Sequence, residues 1–193
     1  GAEKVDGTYQ KAIRDEDGNF HLIARNQSVS GEMTDKVEWC PQFSPFFEAL
    51  PNGTCLLCEL NMAQNTSSRK ITTIMGCLKD KAIARQQKDG YLWLYVFDVW
   101  AYNGHSCLSL TARERFELLD EIAKKYYYAS YVRFAKYYEG DALWNELMRV
   151  MSSGGEGIVI TRADSHAEPG KRTAQKTLKI KKELDNYIDC FLT

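Results

Sequence analysis

Along this chain the spacing of apolar positions switches repeatedly between two residues and three to four, and each switch marks an element. Strand spacing covers Thr8–Arg14 and Phe20–Ala24. Between them lies Asp15-Glu-Asp-Gly-Asn19, whose turn-forming residues predict a β-hairpin. A third strand is predicted over Thr54–Leu60, entered from Pro51-Asn52-Gly53. Tyr91–Trp100 is dense in aromatic and β-branched residues and reads as a central strand. Further strands are predicted at Tyr131–Tyr137, Gly157–Thr161, Thr177–Lys181 and Tyr187–Leu192.

Helical spacing fills the gaps. Phe46–Leu50 reads as the end of a short helix. Ser68–Gln87 carries Ile71, Ile74, Met75, Leu78, Ala82 and Ile83 near helical spacing, with Gly76 weakening its middle. Thr111-Ala-Arg-Glu114 is a capping box, and Phe116, Leu119, Ile122, Ala123 and Tyr126 mark the buried stripe that follows. Asp141 is predicted to cap a fourth helix with Leu143, Leu147 and Val150 inward, stopped by Ser152-Ser-Gly-Gly155. No internal repeat or low-complexity linker appears. The mixture is α+β.

Composition narrows the class. At 193 residues, 44% hydrophobic and 12% aromatic, the chain is long enough to bury a substantial single core. The longest apolar stretch, Tyr91 to Tyr102, is short and interrupted by Asp98, so no membrane span is expected. The N-terminus carries no apolar signal segment. Six cysteines are scattered without a framework, which suits a reducing cytoplasm. Cys55 and Cys58 have ligand-like spacing, but three positions apart on a strand they point to opposite faces. Buried thiols are the better reading. The formal net charge of −1 conceals a cationic run of Lys171, Arg172, Lys176, Lys179, Lys181 and Lys182, which is either a solvated stretch or a contact for phosphate.

Three segments carry the candidate chemistry: Lys4-Val5-Asp6-Gly7, Glu156-Gly157-Ile158-Val159, and Lys179-Ile180-Lys181. On the last of these, both ammonium groups share one strand face and the aliphatics Leu178 and Ile180 the other. Two cations aimed at one point stabilise charge that develops on a phosphoryl group. Lys4 and Asp6, two apart, share a side of an extended segment. Read singly, each has a plainer account. Lys4 fits a frayed terminus, Glu59 a structural ion pair, and Phe97 a core position among Trp93, Tyr95 and Trp100. Gly154-Gly155-x-Gly157 lacks the full Gly-x-Gly-x-x-Gly pattern of a dinucleotide loop, so that class is set aside.

In this order across the chain, the set resembles the nucleotidyltransferase (adenylation) domain of ATP-dependent DNA ligases, of a phage-like or bacterial kind. That domain belongs to a superfamily shared with RNA ligases and mRNA-capping guanylyltransferases. The resemblance implies two antiparallel β-sheets flanked by helices and enclosing a nucleotide cleft, an ATP-grasp-like arrangement. It implies that Lys4 is the nucleophile that takes AMP from ATP with Mg²⁺ and passes it to a 5′-phosphate on nicked duplex DNA, with RNA as the alternative substrate. An amine attacks phosphorus only when neutral, so a lysine with an ordinary value of about 10.4 must be shifted by burial or nearby cations.

By the same resemblance, Glu3, Asp6 and Gly7 flank the nucleotide, and Arg25 holds phosphate or ribose. Glu59 contacts ribose or metal, Phe97 stacks on the base, and Val159 covers the base's other face. Glu59 and Glu156 are the right ligand types for Mg²⁺. Lys179 contacts the α-phosphate, and Lys181 assists departure of pyrophosphate. The expected division is a nucleotidyltransferase domain over residues 1–184, with 185–193 beginning an OB-fold domain, acting as a monomer. Two departures stand out: Tyr9 occupies the place of an arginine common in ligases, and only three residues precede Lys4. A non-catalytic nucleic-acid-binding module on the same fold is the alternative of another class, although binding alone needs no nucleophile.

Overall fold

A computed structural model describes residues 1–27, 33–62, 68–170 and 175–181 of the chain. Two sheets dominate it. The larger contains β2 (Thr8–Arg14), β3 (Phe20–Gln27), β4 (Met33–Asp35), β5 (Thr54–Met62), β6 (Leu92–Tyr102) and β7 (His105–Ser106), ordered β4-β3-β2-β5-β6-β7. These pairs are antiparallel, and β8 (Val132–Phe134) joins β6 in parallel. The smaller sheet is antiparallel β1 (Ala2–Glu3), β9 (Gly157–Thr161) and β10 (Thr177–Lys181), with β9 in the centre.

Alternation along the strands gives each sheet two different faces. On the large sheet, Leu22, Leu56, Leu60, Leu94 and Val96 join one apolar core with residues of four helices. These are α1 (Ser44–Ala49), α2 (Ser68–Met75), α3 (Lys79–Asp89) and α4 (Ala112–Lys125). On the small sheet, Ile158 packs with Leu147 and Val150 of α5 (Gly140–Ser152). The remaining faces look toward each other across a cleft. A short connection after β9 ties the cleft shut at one end: Ser165 and Ala163 carbonyls accept from the backbone N–H groups of Ala112 and Arg113 at the start of α4. No helix among the described residues is long and apolar enough to cross a membrane.

The predicted strands at 8–14, 157–161 and 177–181 have the expected bounds, and the capping box at Thr111 and Glu114 forms with both bonds. Three expectations change. The helix over 68–87 is two helices, because Leu78 is extended (ψ 151°) and heads α3. Leu78 is accordingly exposed rather than on the buried stripe. The predicted strand 131–137 shortens to 132–134, since Tyr131 adopts φ 60°. Asp141 does not cap α5; Glu139 holds the cap position without a side-chain bond, and Gly140 (φ 53°) makes the turn. Strands β1, β4 and β7 are too short for periodicity to register. Residues 182–193, with the predicted final strand and the expected start of an OB-fold, lie outside the described residues, as do Lys171 and Arg172.

His21 staples the first hairpin. Its Nδ1 lies 2.8 Å from Asp35 and its Nε2 3.3 Å from Asp15. Hydrogen bonding to Asp35 raises the imidazole's pKa above its ordinary value; burial opposes this, and Asp15 adds to it. A raised value means the contribution to stability is complete below the unfolded pKa of about 6.5 and is lost as pH rises through the folded one. An NMR titration of His21 is expected to show the elevated value, with Asp35→Asn returning it toward normal. An ordinary titration in the native protein would show that the bridge does not persist in solution.

Candidate active site

The small sheet aligns its functional residues by register alone. Val159 pairs with Ala2 on one side and Lys179 on the other, and Gly157 pairs with Lys181. Residues directly opposite share a face, so Ala2, Val159, Lys179 and Lys181 all look toward the cleft. Lys4 continues this pairing, its backbone N–H donating to the Gly157 carbonyl at 2.8 Å. Glu156 then lies between two ammonium groups: Lys4 Nζ is 2.5 Å from its Oε2, and Lys181 Nζ is 3.0 Å from its Oε1. Burial works against the charged carboxylate, but the two hydrogen bonds outweigh it and hold the pKa below its ordinary value. Gly157 is forced by the packing. Its φ is +142°, and a Cβ there would fall 1.9 Å from the Ile180 carbonyl oxygen.

The large sheet supplies the opposite wall. Tyr9, Glu59 and Tyr95 stand side by side in register on the cleft face. Burial pushes the Glu59 carboxyl up to about 7, against the pull of Lys4, Arg25 and Lys179, and Glu156 raises it further. Its Oε2 is buried with no hydrogen-bond partner among the described residues. Gly7 lies against it, since a Cβ at that position would be 2.5 Å from the Leu60 carbonyl oxygen and 3.2 Å from Glu59 Oε2. Lys179 has its pKa lowered by burial, and then by Lys4 and Arg25. The Arg25 guanidinium sits 4.5 Å from the ring centre of Tyr9, and Tyr9 in turn lies 6.2 Å from Phe97. Burial pushes the Tyr9 hydroxyl up to about 12, so it stays neutral.

Between the walls is a cavity of about 310 Å³, lined among others by Lys4, Arg25, Glu59, Phe97, Val159 and Lys179. Lys4 also borders a wider polar groove of about 780 Å³ on its other side, together with Asp6 and Glu156. Two expected residues that border these spaces also have structural partners. Glu3, alternating with Ala2, has its carboxylate held 3.0 Å from Arg149 of α5. Asp6 accepts from the backbone N–H of Ser68 at 3.1 Å and so anchors the start of α2. As for a divalent ion, no group of three acidic, histidine or cysteine side chains converges among the described residues. Glu156 has both oxygens on lysines, whereas the orphaned Glu59 Oε2 is a hard, unpartnered donor of the kind Mg²⁺ prefers.

The sequence profile of the ATP-dependent DNA ligase domain matches residues 2–181. This chain belongs to that family. The ligase domain shares its fold with solved enzymes. The ligase domain from M. tuberculosis LigD is 22% identical with a TM-score of 0.66, over 93% of this chain and 52% of that one. A mycobacterial DNA ligase D complexed with ATP and MES is 21% identical with a TM-score of 0.64, over 94% and 54%. A Chlorella virus DNA ligase-adenylate is 16% identical with a TM-score of 0.53, over 93% and 59%. The chain thus spans between half and three-fifths of the length of these ligases. No curated protein matches it.

Sequence reasoning missed Tyr9 as the support of Arg25, and Arg149 as the partner of Glu3. Both sit on regular faces whose opposite numbers only the fold reveals. For the ligase domain, Gly157→Ala is expected to lose roughly 1–3 kcal/mol from overpacking, with further loss from the positive φ. Urea denaturation measures it. Unchanged stability would mean that β10 can retreat without cost.

Proposed function

We propose that this chain is the nucleotidyl-transfer core of an ATP-dependent DNA ligase, in which Lys4 carries AMP between ATP and the 5′-phosphate of a nicked duplex. The observation that carries the reading is the position of Lys4 Nζ. It borders the cavity between the sheets, bonded to Glu156 at 2.5 Å, and together with Lys179 and Arg25 it is close enough to act on Glu59. Lys4, Arg25, Lys179 and Lys181 outnumber the two carboxylates, Glu59 and Glu156, that they act on, and a polyphosphate supplies the missing negative charge. The solved mycobacterial ligase carries ATP and the viral one an adenylate, which agrees with this use of the fold.

In the proposed step the Nζ lone pair forms a bond to the α-phosphorus, the bond from that phosphorus to the bridging oxygen breaks, and pyrophosphate leaves with the electron pair. Lys4 must first shed a proton and leave its bond to Glu156 Oε2. Lys179 and Lys181 face the same side of β10 and offset the charge that grows on the phosphates. Phe97 and Val159, on opposing walls, would hold the base between them. Glu59 would take Mg²⁺ on its unpartnered oxygen, with Glu156 joining once a lysine is released; the ion would neutralise phosphate oxygens. The free thiols of Cys40, Cys55, Cys58, Cys77 and Cys107 suit the reducing cytoplasm in which we place the protein.

Incubation with α-labelled ATP and denaturing electrophoresis tests the reading. Wild-type protein should retain a label that survives base and is lost in acid, as a phosphoramidate requires. Lys4→Ala should retain none, and label on that variant would overturn the assignment. Glu156→Ala and Lys181→Ala should each lower the single-turnover rate by about 100- to 1000-fold while circular dichroism shows the fold intact. Cys58→Ala, beside Glu59 but on the core face, should cost far less. Label from GTP but not ATP would point instead to capping chemistry.

A further inference from the structure

The register of β5 against β6 breaks beside the cavity. Cys58 pairs with Val96 and Leu57 with Asp98, so Phe97 is an extra residue with no partner of its own. Such a bulge bends the strand and re-aims a side chain, at the cost of backbone groups left out of the ladder. Here those groups are collected by side chains. The Phe97 carbonyl accepts from the Tyr137 hydroxyl, and the Val99 N–H donates to Asp98 Oδ1 at 2.9 Å. Arg115 holds Asp98 with two bonds, Nε to Oδ1 at 2.8 Å and Nη2 to Oδ2 at 3.2 Å, and donates from Nη1 to the Leu110 carbonyl at 2.9 Å.

The clamp has one origin. Arg115 and Phe116 are consecutive on α4, and Phe116 stacks on Tyr137 with ring centres 3.6 Å apart. Arg115 has only 4% of its side chain exposed and Asp98 15%, so the pair is water-poor and geometrically fixed. Burial keeps the Tyr137 hydroxyl protonated, well above its ordinary pKa, and therefore a standing donor. Asp98, Arg115, Phe116 and Tyr137 line the cavity together with Phe97, while Lys4 and Lys181 hold Glu156.

We propose that Arg115 and Tyr137 are positioning residues for base recognition: through Asp98 and the Phe97 carbonyl they fix the bulge, and the bulge sets the plane in which Phe97 meets the nucleotide base. This rests on the reading that Phe97 stacks on that base. It assigns α4, whose Arg115 and Phe116 line the cavity beside Phe97, a role in nucleotide affinity.

A double-mutant cycle in single-turnover adenylylation of the full chain, with ATP varied, tests it. Phe97→Ala should raise the half-saturating ATP concentration by about 5- to 150-fold, the worth of one stacked base, with the saturating rate little changed. Tyr137→Phe keeps the stack on Phe116 and removes only the bond to the Phe97 carbonyl; Arg115→Lys keeps the charge and loses the fork. Each should raise half-saturation by about 2- to 12-fold, again without a change in saturating rate. In the Phe97→Ala background neither should add anything. Additive losses there would overturn the proposal, because Arg115 and Tyr137 would then act on the nucleotide or the fold independently of Phe97. A loss of saturating rate alone would also overturn it. If Arg115→Lys fails to fold, Tyr137→Phe carries the cycle by itself. Absence of any label on the wild-type protein would instead defeat the ligase reading, and an unchanged half-saturation in Phe97→Ala would defeat the stacking role.

Discussion

The site is organised around one carboxylate between two ammonium groups. Glu156 joins Lys4, which enters from the first strand, to Lys181, which closes the last one described, and thereby fastens the small sheet at both edges. A pair this close is favourable only because it is partly shielded from water, and it is not so deeply buried that desolvation wins. The backbone agrees with the ion pairs: the Lys4 N–H reaches the Gly157 carbonyl, and Gly157 admits the β10 chain where any side chain would block it. Behind this sheet α5 supplies the apolar backing through Leu147 and Val150. Losing the carboxylate would leave two cations facing each other across the edge of the cleft.

Burial, against the pull of the cations, sets the state of the opposite wall. Glu59 is buried deeply enough to titrate near neutrality although three cations favour its ionised form. An acidic group left with an unpartnered oxygen in such a place is costly unless something else arrives to use it. The aromatic row from Arg25 through Tyr9 to Phe97 serves a different purpose. It places a guanidinium by contact with a ring rather than by an ion pair, so the charge stays available to the cleft. Tyr9, standing where many ligases have arginine, is the member that makes this possible.

The two halves of the cleft are not independent. The backbone of residues 163–165 bonds to the start of α4, and α4 in turn anchors the bulge beneath Phe97. The connection following β9 therefore links Val159 on one wall to the support of Phe97 on the other. The cavity of about 310 Å³ depends on both, since two sheets with unpaired faces would otherwise be free to splay.

What the sequence determined by itself was periodic or local. Strand and helix spacing located the long elements, Thr111 and Glu114 fixed a helix start, and the order of the lysine, glutamate-glycine and paired-lysine segments pointed to the family. Lys179 and Lys181 could be put on one face because alternation in a strand is fixed by backbone geometry, whereas Val159 joined them only through the register of β9 against β10. Tertiary structure decided everything that depends on which faces meet. It split the helix at Gly76–Leu78, turned Glu3 toward Arg149, and gave Asp6 to the start of α2. It placed Glu156 on Lys4, 152 residues away in the chain, and gave Phe97 its bulge. Such pairings are chosen by long-range packing, which no local spacing encodes. Arg115 is the instructive case. A charge on an otherwise apolar helical stripe, and Asp98 in an otherwise apolar strand, each look unfavourable in sequence. Only the fold brings the two together and removes the cost.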